Sequence, residues 1–195
     1  MTDDIPESHK QQISEARRQS LIRAGIPVSV HDMSLSTLGE DVGKQISDWL
    51  TDPGYTSLKS GGVTWALDLR SNKALLTTQL TARVLHIRGL GCKVVHLGRL
   101  IRMVETRDYD GFEDLMTPQA LFVLDFYYAA TKPTERDFSG YQRRQIQDLL
   151  TDRVGANKSN VLQICNPHKL SPRLADWWEQ PFLDGANLRT LEVKA

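Results

Sequence analysis

"GGVTWALDLRSNKALLTTQLTARVLHIRG", residues 61–89, changes rhythm twice. An apolar run, "GVTWALDL", reads as a strand buried on both faces, since it is continuously hydrophobic rather than alternating. The polar turn "RSNK" follows, and then "NKALLTTQLTARVLHIRG" carries the spacing of a helix that Gly89 ends. A strand, a tight turn with a lysine near its end, and a helix form the frame of a phosphate-binding loop. Yet "LDLRSNKA" (67–74) contains no glycine.

The same alternation extends downstream. "CKVVHLG" is strand-like, "RLIRMVETR" starts a helix, and "ALFVLDFYYA" is a strongly apolar strand. After the long polar loop "TKPTERDFSG", "SGYQRRQIQDLLTDRVGA" reads as a helix, "NVLQICN" as a strand, "SPRLADWWEQP" as a last helix and "NLRTLEV" as a final strand. Strands alternating with helices at this spacing predict an α/β fold, a parallel sheet of about five strands flanked by helices. Upstream, "SHKQQISEARRQSLIRAGIP" is helical, with Ser8 as its cap, apolar residues Ile13, Ala16, Leu21 and Ile22, and Gly25 and Pro27 as its stop. "HDMSLSTLG" is a loop, and "EDVGKQISDWLTDPG" a helix closed by Pro53 and Gly54. The chain divides into a helical arm, residues 1–24, and one domain, residues 25–195.

Bulk properties exclude several function classes. The 24 basic side chains balance 24 acidic ones, so no global field draws the chain to nucleic acid or to a membrane. Neither a secretory signal nor an apolar run approaching the roughly 18 residues of a membrane span is present, so a soluble, cytoplasmic protein is expected. Cys92 and Cys165 lie in strand-like runs without the spacing of a zinc site and read as buried free thiols. No metal site is expected.

The order of these pieces resembles the DnaC/IstB branch of the AAA+ family, the helicase loaders and transposase helper ATPases. Four stretches carry the resemblance: "RRQSLIRAGIPVSVHDMSLSTLG" ahead of the core, residues 61–89 as a Walker A strand, loop and helix, "ALFVLDFYYAATKPTERDFSGYQRRQIQDLLTDRVGA" as the Walker B strand and its helix, and "SNVLQICNPHKLSPRLADWW" as a sensor-1 strand. The match spans roughly residues 14–193 and rests on order and spacing, because no one motif is clean. It implies a P-loop NTPase-like, RecA-like domain.

The departures are informative. Against the family's G-x-x-G-x-G-K-T loop, Lys73 falls on the lysine, while Leu67, Arg70 and Asn72 fall on the glycines and Ala74 on the hydroxyl residue. A phosphate cradle needs glycine, because successive N–H groups must turn inward with no Cβ in the way. Ala74 has no oxygen for Mg²⁺. Arg70, Ser71, Asn72, Lys73 and Ala74 thus form a degenerate phosphate loop, in which Arg70 and Lys73 still offer charge and Asn72 tolerates positive φ. Asp125 keeps the Walker B acid, but Phe126 stands where a second acid would polarise the attacking water. Asp125 either orients a metal-bound water or caps its strand locally. Asn166 is sensor-1-like or simply turns the chain before Pro167, and Arg173 is the nearest candidate for the arginine that such proteins extend into a neighbouring subunit.

The expectation is a replication interaction protein, loader-like or helicase-modulating, with ATPase activity lost and no cofactor. The alternative is an active DnaC/IstB-type ATPase using ATP and Mg²⁺ in helicase loading or transposition. The expected partner is a replicative helicase or a related active ATPase, in an oligomer or hetero-oligomer. Single-stranded DNA is a further candidate, contacted through Lys93, Arg99, Arg102 and Arg107 in the region where the resembling family binds it; a solvated helix face is the plainer alternative. Other bases lie at Arg17, Arg18 and Arg23 and at Arg143, Arg144 and Arg153, while Tyr127, Tyr128, Trp177 and Trp178 either stack on bases or pack in the core. The arm either docks into a partner's groove or folds back on the core.

Overall fold

The computed structural model describes residues 7–69, 73–126, 140–164 and 187–193. Five strands, β1 (Val63–Leu69), β2 (Cys92–His96), β3 (Ala120–Leu124), β4 (Ser159–Ile164) and β5 (Leu188–Val193), form one sheet in the order β2-β3-β4-β1-β5. Every pairing is parallel. Strands β1 and β3 flank the central β4, in the parallel sheet of five strands that the alternation predicted. All residues of β1, β3 and β4 are buried, whereas the edge strand β5 is largely open. This explains the unbroken apolar runs of the interior strands.

Helices α1 (Glu7–Arg23), α2 (Glu40–Thr51), α3 (Gly54–Ser60), α4 (Ala74–Ile87), α5 (Leu97–Thr106), α6 (Tyr109–Met116) and α7 (Gly140–Gly155) surround the sheet. Two layers of core result. One joins Leu21 and Ala24 at the foot of α1 to α2, α3 and α4 over Trp65, Leu67, Val94, Phe122 and Val161. The other joins α5, α6 and α7 over Ala66, Val95, Leu121, Val123 and Leu162. Strand alternation sends neighbouring residues, such as Trp65 and Ala66, into opposite layers.

Several local expectations change. The first helix begins at Glu7, one residue ahead of Ser8. Pro53 and Gly54 do not close the chain's helical course: α2 stops at Thr51, and Gly54 starts the short helix α3. The "HDMSLSTLG" region contains a 3-10 turn at Leu35–Leu38, and α6 was not anticipated. Asp108 starts α6 by accepting the Gly111 N–H at 2.9 Å, so the acidic stretch after α5 is a helix with its own N-cap. The segment 131–139 and the expected last helix at 171–181 lie outside the described residues.

Gly25 acts as the predicted stop. Its N–H reaches the Ile22 carbonyl at 2.9 Å and the Ile26 N–H reaches Leu21 at 3.0 Å, with φ at +75°. This double bond closes a helix through a left-handed residue. A Cβ at Gly25 would stand 2.4 Å from the Val94 carbonyl oxygen, while the Val94 N–H donates to Ala24 at 2.7 Å. The end of the arm therefore covers part of the exposed edge of β2, which would otherwise present unpaired backbone groups.

Beyond that junction α1 stands away from the body. Lys10–Ser20 are exposed throughout, and of the apolar positions only Leu21 is buried, leaving Ile13 at 61% and Ile22 at 43% exposure. Among its described residues the arm meets the core only at its root.

Candidate functional site

In an open parallel sheet, ligands bind beyond the carboxyl ends of the strands, where the loops part. Here that edge holds Lys73 after β1, His96 as the last residue of β2, Asp125 after β3 and Gln163 near the end of β4. It is the edge where Walker chemistry would sit.

Asp125 adopts φ +58°, a left-handed conformation that Asp tolerates better than most residues. Its N–H donates to the Gln163 side-chain oxygen at 3.2 Å, a bond that ties the end of β3 to β4. Its Oδ2 accepts from His96 Nδ1 at 2.7 Å, with both side chains about half exposed (54% and 44%). The strand end thus turns Asp125 sideways onto His96. Phe126, at the second-acid position, is 3% exposed and packs among Leu97, Val123 and Ile146 in the second core layer. The sequence placed hydrophobic bulk there, and the fold uses it as core.

Lys73 immediately precedes α4. Its Nζ donates to the Leu38 carbonyl at 3.2 Å, at the end of the 3-10 turn that precedes α2. Ala74 is buried at 5% and brings no oxygen. The hydroxyls nearby are turned into the helix: Thr77 Oγ1 donates to the Lys73 carbonyl at 2.9 Å and Thr78 Oγ1 to Ala74 at 3.0 Å. Among the described residues this turn therefore offers one ammonium, and the hydroxyls of Thr77 and Thr78 are bonded within the helix. Arg70, Ser71 and Asn72 lie outside the described residues, as do Asn166, Arg173, Cys165, Tyr127, Tyr128, Trp177 and Trp178.

The basic candidates separate. Arg99 and Arg102, three apart on α5, share one exposed helix face. Lys93 is committed to Asp114 at 2.9 Å. Arg107 is exposed but caps α5 in a left-handed conformation, φ +55°. Arg153 is a correction. Grouped in the sequence with surface bases, it is fully buried, and its guanidinium donates to Asn160 Oδ1 at 2.8 Å and to the carbonyls of Leu115, Pro118 (3.0 Å) and Ser159 (2.8 Å). Burial lowers its pKa to about 10, which still leaves it charged at neutral pH.

Cys92 is buried, and desolvation pushes its thiol up to about 12, so it stays protonated and unreactive. Among the described residues no cluster of His, Cys, Asp or Glu has the arrangement of a metal site. Among them, too, no helix is long and apolar enough to cross a membrane.

Sequence reasoning missed His96, Gln163 and Leu38. His96 alone carried a usable signal, a titratable side chain closing the apolar run "CKVV" on the edge where α/β sheets bind ligands. Gln163 and the Leu38 carbonyl belong to segments distant in sequence, and only the fold brings them to the edge.

No protein-family model matches the chain. No curated protein matches it either. Solved structures do. A crystal structure of the DnaC helicase loader is similar with a TM-score of 0.54 at 12% identity, covering 78% of this chain and 88% of the other. A crystal structure of DnaI is similar with a TM-score of 0.57 at 11% identity, covering 86% of this chain and 94% of the other. The chain has the P-loop NTPase-like α/β fold of these DnaC-like proteins, and the likeness extends over most of both partners.

Proposed function

We propose that this protein is a helicase-loader-like interaction protein of DNA replication that has kept the frame of a P-loop ATPase and given up hydrolysis. The likeness to the DnaC helicase loader supports the first half. One observation carries the second: an alanine stands where a metal-binding hydroxyl belongs, beside a lysine whose amine donates to the Leu38 carbonyl. A protein so altered works through surfaces, and its partner is a replicative helicase or an active ATPase of related fold. Single-stranded DNA is a secondary ligand, along the Arg99 and Arg102 face of α5. A few phosphate contacts of that kind give weak, salt-sensitive affinity.

Calorimetric titration with Mg²⁺-ATP tests the nucleotide half. No affinity tighter than about 1 mM is expected, which corresponds to about 4 kcal/mol of binding free energy. Any phosphate release should persist unchanged in Lys73→Ala. Capture of partners from the native cell at physiological salt tests the other half, and the absence of any helicase or ATPase among them would end it.

A second reading, a working ATPase with an unusual loop, draws support from the His96–Asp125 pair, because an imidazole held at 2.7 Å from the carboxylate gives this edge a basic group. Mg²⁺-dependent hydrolysis that disappears in Asp125→Ala would select it.

A further inference from the structure

On the side of the sheet opposite the arm's root, α5, α6 and α7 enclose a groove of roughly 370 Å³. Its floor is apolar, made by Met103, Val104, Phe112, Met116 and Leu149. Among the described residues its rim is acidic, with Asp108, Glu113, Asp148 and Asp152 against the base Arg107. Tyr109 and Tyr141 stand at its mouth, 69% and 60% exposed. Large aromatic side chains left open beside an apolar floor mark a contact surface, because tyrosine contributes much buried area for little conformational entropy.

The arm has the complementary composition. Helix α1 carries Lys10, Arg17, Arg18 and Arg23 against Glu7 and Glu15. Ile13 projects from it at 61% exposure, and at helical spacing Ala16 and Arg17 lie on the same face while Glu15 falls on the other. That face continues the one by which Ser20, Leu21 and Ala24 meet the body, so it runs outward from the core with its isoleucine uncovered.

We infer that the α5–α6–α7 groove receives the α1 arm of a second copy of this chain, with Ile13 seated on the apolar floor and Arg17 and Arg18 against the acidic rim. The arm cannot serve its own groove. It is a straight helix of about 25 Å at 1.5 Å per residue, rooted by Leu21 and Ala24 on the other layer of the sheet. A basic arm docked on the acidic groove of another copy gives a twofold dimer when the exchange is mutual, and a ring when the contact runs head to tail and closes. The inference does not depend on the helicase-loader reading.

The experiment uses two full-length charge-reversed chains. One carries Arg17→Glu and Arg18→Glu in the arm; the other carries Asp148→Lys and Asp152→Lys in the groove. All four side chains are exposed. Sedimentation equilibrium of the wild type should show self-association that weakens with salt. Each reversed chain alone sets like charge against like and should lose at least about tenfold in association. An equimolar mixture restores both contacts, acidic arm to basic groove and basic arm to acidic groove, and should form heteromers near wild-type strength. A photo-crosslinker at position 13 of an otherwise wild-type chain should join residues 103–116 or 141–152 of another copy. A wild-type chain that stays monomeric to about 0.5 mM overturns the inference. So does association indifferent to both reversals, a mixture that fails to recover it, or an arm that crosslinks only to a foreign protein.

Discussion

The two ends of the sheet are built on opposite principles. At the amino ends of the strands, polar groups are buried and mutually satisfied. Arg153 binds three carbonyls and Asn160, and Asn160 donates to Thr64 Oγ1 at 3.1 Å and to the Leu150 carbonyl at 2.9 Å. Gln119 reaches the carbonyls of Leu58, Lys59 and Asn157, each at 3.2 Å. At the carboxyl ends Asp68 and Gln163 are also buried, but the residues beyond them are open: Asp125 and His96 are half exposed, Asp125 bonding His96 and Gln163, and the exposed Lys73 donates to Leu38. A buried donor that loses its partner costs its full desolvation, whereas an exposed one falls back on water. The amino-end network should therefore carry more of the stability than the exposed residues of the carboxyl edge, whose side chains can change at lower cost.

The sharpest way to break this contrast is Arg153→Met. The substitution keeps much of the volume but strips donors from Asn160, Leu115, Pro118 and Ser159 at once. It should cost about 3 kcal/mol or more, read as a fall in the urea midpoint at constant slope. A loss below about 1 kcal/mol would mean that the network is satisfied another way, and the division between the two ends would fail.

At the carboxyl edge the corresponding change is Asp125→Ala. The hydrogen bond with His96 is exposed and contributes little, so the cost should come from holding a Cβ-bearing residue at φ +58° without a side-chain carboxylate to favour it. About 1 kcal/mol is expected. Asp125→Gly separates the two contributions: glycine accepts positive φ, so it should recover most of the loss although the His96 partner is still missing. If glycine is as damaging as alanine, the side-chain bond carries the stability, and the carboxyl edge is more like the amino end than proposed.

The same division explains what the sequence disclosed. Five parallel strands, the interior positions of β1 and β3, and the stop at Gly25 all follow from local signals: apolar runs, helical spacing and a glycine that meets the Val94 carbonyl. Arg153 was misread because a lone arginine on a polar helix looks like a solvated base. Its burial depends on Leu115 and Pro118, far away in the chain. The site was half legible. Ala74 and Phe126 announced the missing oxygens in the sequence itself, but where Lys73 points depends on the Leu38 turn, and what Asp125 touches depends on β2 lying beside β3. Helix α6 escaped because its apolar face is short and its acids resemble a loop.

The smallest expected effect sharpens the comparison through pH. His86, at the carboxyl end of α4, lies by the start of β2, where its Nδ1 accepts the Cys92 N–H at 3.4 Å. That bond assigns the ring proton to Nε2, which donates to Ser20 Oγ at 2.8 Å and helps fasten the root of the arm. Partial burial lowers the His86 pKa from 6.5, favouring the neutral ring in the folded state. The unfolded chain therefore takes up a proton first as pH falls. The stability due to His86 is complete above the unfolded pKa near 6.5 and is lost as pH drops from there through the lower folded value. Thermal midpoints of the wild type and His86→Gln, compared between pH 8 and pH 5, isolate this from the carboxylates that titrate in both chains. The wild type should lose more than the variant across that window, and the difference should vanish above pH 7.5. Parallel curves would show that protonation of His86 is not opposed in the folded state, and that the arm's root is as tolerant of charge as the carboxyl edge.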